Sequence, residues 1–253
     1  MASPTPRIDA FNPSGVLAGK RRMPEGTFLR YLPGNSWSRS IRDRLTSRIF
    51  NQGDTLPLGP KHQTVYIVLG GCLVQERFPF GTGKDAPVVV RFRGAGDFLG
   101  EAKLIEPAAH VRTVCLSTTW VMTCPLRRMK VLLNRHPEAE LALLRSLEAR
   151  NRSDEKIYCT ADRPPLDRVS TLLLHLARTA GTRNPEAPGQ IVIDGPRQSD
   201  LARALLLGQS TVENAVAELR REHRVIASNY RQLIVTDIAR LERIVTPVPP
   251  ETE

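Results

Sequence analysis

The sequence predicts an α+β chain with a strand-rich amino-terminal half, one long helix, and a carboxyl-terminal half of short helices and a hairpin. Three observations predict it. Between Val65 and Cys124, apolar runs of strand length recur and are separated by turn-rich stretches such as Gly81 to Pro87. From His136 the period changes to that of a long helix, which Arg163-Pro164-Pro165 ends because proline lacks an N–H and restricts the residue before it. Beyond the prolines, residues 197–219 carry two short helical patterns, and Val225-Ile226-Ala227 and Leu233-Ile234-Val235 read as the arms of a hairpin.

Composition excludes several classes of function. The 253 residues suffice for one or two domains of about 100–150 residues. No apolar run approaches the ~18–20 residues of a membrane span, and MASPTPRIDAFNPSG lacks the pattern of a secretory signal, so the expected location is the cytoplasm, with no membrane partner. Cys72, Cys115, Cys124 and Cys159 form no C-x-x-C pair and have no histidines at ligand spacing, which predicts reduced thiols and no metal site. No serine, histidine and acid set is legible, so no enzyme and no required cofactor is expected. The net charge of +10, carried by 30 Arg and 6 Lys, favours a polyanion such as nucleic acid. The excess is greatest in residues 1–50 and therefore does not locate the contact.

In chain order, residues 1–35 read as a flexible basic arm. Trp37, Ile41, Leu45 and Ile49 recur every fourth residue and predict a short helix from Ser36. Strands are expected at 65–69, 72–74, 88–93, 114–116 and 120–124, an order that suggests a sandwich or roll. The stretch Leu126 to Leu133 and His136-Pro137 precede a long helical pattern, where Leu141, Leu144, Leu147, Asn151, Asp154 and Tyr158 stand near a/d spacing. Those leucines either pair two helices or cover the strands. Leu166 to Ala177 predicts a helix with Leu166, Val169, Leu172, Leu173 and Leu176 inward, followed by a loop, a strand at Ile191–Ile193 and, from Asp237 to Ile244, a last short helix.

The stretch GAGDFLGEAKLIEPAAHVRTV, residues 94–114, carries the chemistry of a sugar-phosphate site. Glycines let backbone approach a ligand, and the first turn of a short helix starting at Ala102 offers N–H groups to an anion. The Arg112 fork matches a phosphate, the Thr113 hydroxyl adds a donor, and Glu101 can accept from a ribose hydroxyl. Asp97-Phe98-Leu99-Gly100-Glu101, followed eleven residues after the glutamate by Arg112-Thr113, resembles the phosphate-binding cassette of cyclic-nucleotide-binding domains in the Crp/Fnr family of bacterial transcription factors. The resemblance implies that Gly100, Glu101, Ala102, Arg112 and Thr113 bind an allosteric effector, cAMP or cGMP. It implies that the long helix is the dimer helix and that Ser153 and Asp154 on it touch the base. Ala102, Lys103, Val114 and Asp154 depart from the family pattern.

In residues 197–219, Leu201-Ala202 and Leu205 face inward from the first helix and Val212, Ala215-Val216 and Leu219 from the second. Leu-Ala followed nine residues after the alanine by Thr211-Val212 resembles the family's helix-turn-helix, and the hairpin resembles its wing. The implied partner is double-stranded DNA bearing a palindromic operator, contacted by Arg197, Gln198, Ser199, Gln209, Ser210, Thr211, Glu213 and Asn214. Arg220, Arg221, Arg224 and Arg231 are expected on phosphates, and RNA polymerase is a further candidate partner. Leu206 stands where the family has glycine, and Gly208 is displaced by two.

The expected architecture is therefore an α+β chain with a double-stranded beta-roll of the cyclic-nucleotide-binding fold over 36–135. A dimerisation helix and hinge follow over 136–163, then a winged helix-turn-helix over 164–246 and a tail over 247–253. The alternative is the same DNA-binding regulator with a roll that binds no cyclic nucleotide or a different small effector.

Overall fold

The computed structural model describes residues 23–33, 46–78, 89–106, 111–184, 186–229 and 232–245. Helix α1 (Phe28–Tyr31) precedes strands β1 (Thr46–Phe50), β2 (Thr64–Gly70), β3 (Leu73–Arg77), β4 (Val89–Arg93) and β5 (Phe98–Leu99). Helix α2 (Ala102–Ile105), β6 (Arg112–Cys115), β7 (Thr119–Pro125), α3 (Leu126–Arg135) and the long α4 (Pro137–Tyr158) complete the first half. The second half runs α5 (Pro165–Thr179), β8 (Thr182–Arg183), β9 (Ile191–Asp194), α6 (Gln198–Leu205), α7 (Gln209–Arg221), β10 (Ile226–Asn229), β11 (Gln232–Val235) and α8 (Ile238–Val245).

Two antiparallel sheets, ordered β1-β7-β2-β5 and β4-β3-β6, form the roll, and a third, β10-β11-β9-β8, carries the wing. The continuous apolar run of β2 is explained by burial on both faces. Tyr66 and Val68 point between the two roll sheets with Leu56, Leu73, Leu99 and Val121, while Val65, Ile67 and Leu69 meet Phe28, Met129, Leu133 and Leu143 of the covering helices. Strand β3 alternates in the same way. Leu73 faces the inside of the roll, whereas Val74, with Phe92 of β4, joins a core built from α5, α6 and α7. The carboxyl-terminal half is thus seated on the outer face of the β4-β3-β6 sheet.

Several expectations change. Residues 23–33, read as part of the arm, belong to the fold: Met23, Phe28 and Leu32 are buried, and the Phe28 ring meets Phe98 edge-on with centroids 5.3 Å apart. The apolar cluster of Phe28, Leu29, Tyr31 and Leu32 spans barely one helical turn, too short to show a period from which this could be read. Ile49 lies in β1 opposite Trp120 rather than on a helix, and residues 34–45, the rest of that helical reading, lie outside the described residues. Arg112 and Thr113 are the first residues of β6, not a segment before it. On α4 it is Ala139, Ala142, Leu143, Ser146 and Ile157 that are buried, while Leu141 and Leu144 are 46% and 57% exposed. Leu147 turns back toward the roll, so the a/d stripe does not share one face.

Helix α6 ends at Leu206, whose φ of 54° and ψ of 45° are left-handed. This accounts for the glycine expected there: a side chain in this region costs roughly 1–2 kcal/mol, and Leu206 is 77% exposed, so little packing offsets it. Leu206→Gly is predicted to raise the free energy of urea unfolding by about 0.5–1 kcal/mol, the relief of strain reduced by the greater freedom of glycine in the unfolded chain.

Candidate functional site

The cassette is assembled by a turn that only glycine fits. Gly100 has a φ of +84°, and a Cβ there would lie 2.9 Å from Leu58 Cδ2. Glu101 then starts the single turn of α2. Its Oε1 accepts from Arg150 Nη2 of α4 at 2.5 Å, and Arg150 also donates to the Phe98 carbonyl at 3.2 Å. Its Oε2 is buried without a hydrogen-bond partner among the described residues, and so is Oγ1 of the fully buried Thr113. Thr113 stands directly across from Gln75 in the β3–β6 ladder. Because successive strand side chains take opposite faces, Arg112 lies on the other side, across from Glu76. Its Nε is 3.4 Å from Glu76 Oε2 and its side chain is half exposed.

Lys103, at a position where the family has a small residue, turns inward. Its stem is buried and Nζ donates to the Gly59 carbonyl at 3.0 Å. Burial lowers the pKa of this ammonium. The space left between Leu58, Gln75 and the Gly100–Lys103 turn is about 10 Å³, the size for a single water.

Ser153 and Asp154, expected at the base, do not line that space. They line a broad open cleft of about 2440 Å³ between α4, α5 and the segment around Met23. The Asp154 carboxylate receives both ends of Arg93 in a bidentate pair, Nη1–Oδ1 at 3.1 Å and Nη2–Oδ2 at 2.8 Å. Arg93 Nε donates to Gln75 Oε1 at 2.8 Å, so Gln75 touches both the cassette cavity and this network. The Tyr158 hydroxyl accepts from the Phe92 N–H at 3.2 Å, Arg91 stacks on the Tyr158 ring at 3.9 Å, and burial pushes the phenol up to about 12. Ser153 Oγ lies 3.4 Å from His175 Nδ1. Burial, with Arg93 and Arg178 nearby and Asp154 opposing, lowers the His175 imidazole to about 4.

The second site is the outer face of α7. Val212, Ala215, Val216 and Leu219 are buried against the domain core, which leaves Gln209, Ser210, Glu213 and Asn214 exposed and Thr211 half-buried. Gln209 Nε2 donates to Glu213 Oε1 one turn on, at 2.8 Å. Arg197 is exposed, Gln198 and Ser199 are half-buried, and the first turn of α6 is closed by the Arg197 N–H donating to Asp200 Oδ2 at 2.9 Å. Arg220, Arg221 and Arg224 are exposed beside the wing; Arg231 lies outside the described residues.

Sequence reasoning missed the arginines that hold these sites. Arg93 could have been flagged as a charge at the end of an apolar strand, but nothing local marks Arg150. Arg168, buried on α5, donates to the Leu205 carbonyl at the end of α6 and so props the turn between the two helices.

Removing Arg93 strands a largely buried carboxylate. Arg93→Leu is predicted to cost about 3 kcal/mol in denaturant unfolding, with Arg93→Leu/Asp154→Leu recovering part of it. For His175 the folded pKa lies below the unfolded ~6.5. Its contribution is then complete above ~6.5 and is lost as pH falls toward 4, because the unfolded chain binds the proton first. Wild-type stability should fall through that window by ~2–3 kcal/mol more than that of His175→Gln, and the imidazole NMR signals should not titrate between pH 8 and about 5.

No family model and no curated protein matches the sequence. Solved structures do. A protein from Ruegeria pomeroyi named for cyclic nucleotide binding superposes with a TM-score of 0.62 at 20% identity, over 87% of this chain and 93% of its own. FixK2 from Bradyrhizobium japonicum gives 0.60 at 15% identity, over 81% and 98%. A CRP-family transcriptional regulator from Thermus thermophilus gives 0.59 at 25% identity, over 78% and 96%. The roll, the long helix and the winged helix-turn-helix, in that order and over most of the chain, give this protein the fold of the CRP/FNR transcriptional regulators.

Proposed function

We propose that the protein is a sequence-specific DNA-binding transcriptional regulator that works as a homodimer on a palindromic operator. The observation that carries this reading is α7: apolar along its inner face, and presenting Gln209, Ser210, Glu213 and Asn214 on its outer one. Amide side chains suit adenine edges in the major groove, and Arg220, Arg221 and Arg224 are placed to follow the phosphates. Solved structures of the same fold include named CRP-family regulators. Leu141 and Leu144, exposed three residues apart on α4, supply an apolar strip for a second copy. RNA polymerase is a further partner of this reading. No described helix is long and apolar enough to cross a membrane.

The cassette is proposed to take a cyclic nucleotide, cAMP or cGMP, as allosteric effector. Of four buried side-chain atoms without partners among the described residues, two are Glu101 Oε2 and Thr113 Oγ1. Such atoms call for an explanation, and a ribose hydroxyl and a phosphate oxygen would satisfy them. Binding requires Arg112 to leave Glu76 and Lys103 to withdraw. A second reading, a roll that binds no cyclic nucleotide or a different small effector, is favoured by the cavity of about 10 Å³ and by Asp154 being engaged with Arg93.

The test is a gel shift on a duplex selected from random sequence, at fixed salt, with calorimetry alongside. Wild type should prefer the selected palindrome, and Asn214→Ala should lose about 10–100-fold for that duplex while keeping non-specific binding. No preference for any duplex would sink the DNA reading. Heat on adding cAMP or cGMP that disappears in Thr113→Val and Arg112→Ala supports the nucleotide, and its absence from wild type leaves the second reading.

A further inference from the structure

Resting on the DNA-binding reading, we propose that the Glu76 carboxylate is a clasp that holds the helix-turn-helix in one orientation on the roll, and that Arg112 competes for it. Glu76 points outward from β3, is buried, and its two oxygens are divided between two arginines. Oε1 receives Nη2 of Arg203, which comes from α6, the first helix of the DNA-binding pair; Oε2 faces Nε of Arg112 at 3.4 Å, from the cassette strand.

The rest of this junction is apolar: Val74, Val90 and Phe92 of the sheet share one core with Leu201 and Leu205 of α6. Apolar burial is non-directional and fixes contact rather than angle, whereas a charge-assisted bond to a buried carboxylate fixes both. From Arg203 the chain of contacts continues to Asp200 Oδ1 at 3.8 Å, and Asp200 Oδ2 closes the first turn of α6 on the Arg197 N–H. The clasp therefore ends on the helix that carries the recognition helix.

Two guanidiniums on one carboxylate repel each other and share its charge. When an anion in the cassette draws Arg112 away, Glu76 is left to Arg203 alone and the grip on α6 tightens. Cassette occupancy and the seating of the DNA-binding half are then linked through one side chain, with no movement of the core required.

The linkage predicts opposite signs for two substitutions in one network, which a merely structural ion cluster does not. Hydrogen exchange of the α6 amides reads the seating directly in the full-length protein without any effector. Glu76→Gln should speed exchange across α6 about tenfold or more relative to wild type, and Arg203→Gln, at an exposed position tolerant of change, should do the same. Arg112→Gln should slow it. If Arg112→Gln speeds exchange as Glu76→Gln does, Arg112 is a brace and the competition is wrong. If neither Glu76→Gln nor Arg203→Gln alters exchange, there is no clasp. Because no nucleotide and no DNA enter the measurement, its failure is separate from failure of the functional reading.

Discussion

One short strand joins everything in this molecule. Side chains in β3 alternate between the inside of the roll and the seat of the winged helix-turn-helix half, so Leu73 and Gln75 look toward the cassette while Val74 and Glu76 look toward α6. A slip of its register by one residue would exchange the two sets. Leu73 would then leave the roll core and a carboxylate would enter it unpaired. The ladders to β4 and β6, where Leu73 pairs Arg93 on one side and Cys115 on the other, hold that register. Both candidate sites are therefore positioned by the same five residues.

How much of this was legible follows from what each element asks of its sequence. Strand β2, buried on both faces, appears as a plain apolar run, and β4 and β7 carry apolar segments of strand length, so all three are legible within a residue or two. The helix-turn-helix was legible because its inward positions must be small or apolar at set spacing, and Ala202, Val212 and Val216 obey that rule. Strands β5 and β8, each two residues long, have no room for a period. The contacts that close the sites were illegible for another reason. Glu76 and Arg203 lie 127 residues apart and Arg93 and Asp154 lie 61 apart, and a charge in a sequence carries no mark of the partner it will find.

The Lys103 departure in the cassette has a structural consequence. A lysine in place of a small residue after Ala102 must go somewhere, and its stem is buried with Nζ on the Gly59 carbonyl, beside the small cavity at the Gly100–Lys103 turn. Strand alternation separately leaves Arg112 on the outer face, across from Glu76. The buried oxygens of Glu101 and Thr113 keep the polar character of a binding site. The region thus has the polar groups of an anion site and the volume of a closed one.

The polar second half of α4, which weakens any coiled-coil interpretation of its stripe, has a physical use of its own. Arg150 and Asp154 are four residues apart, hence on one face of the helix, and they meet opposite charges on the roll: Glu101 for the arginine, Arg93 for the aspartate. Sliding the helix by one turn, ~5.4 Å, would bring Asp154 to Glu101 or Arg150 to Arg93. Either shift sets like charges together in a largely buried place, where removing even one partner of a pair already costs several kcal/mol. Leucines at those positions would pack about equally well in either register. The helix is locked along its axis by the sign of its charges, so it cannot ratchet by one turn against the roll.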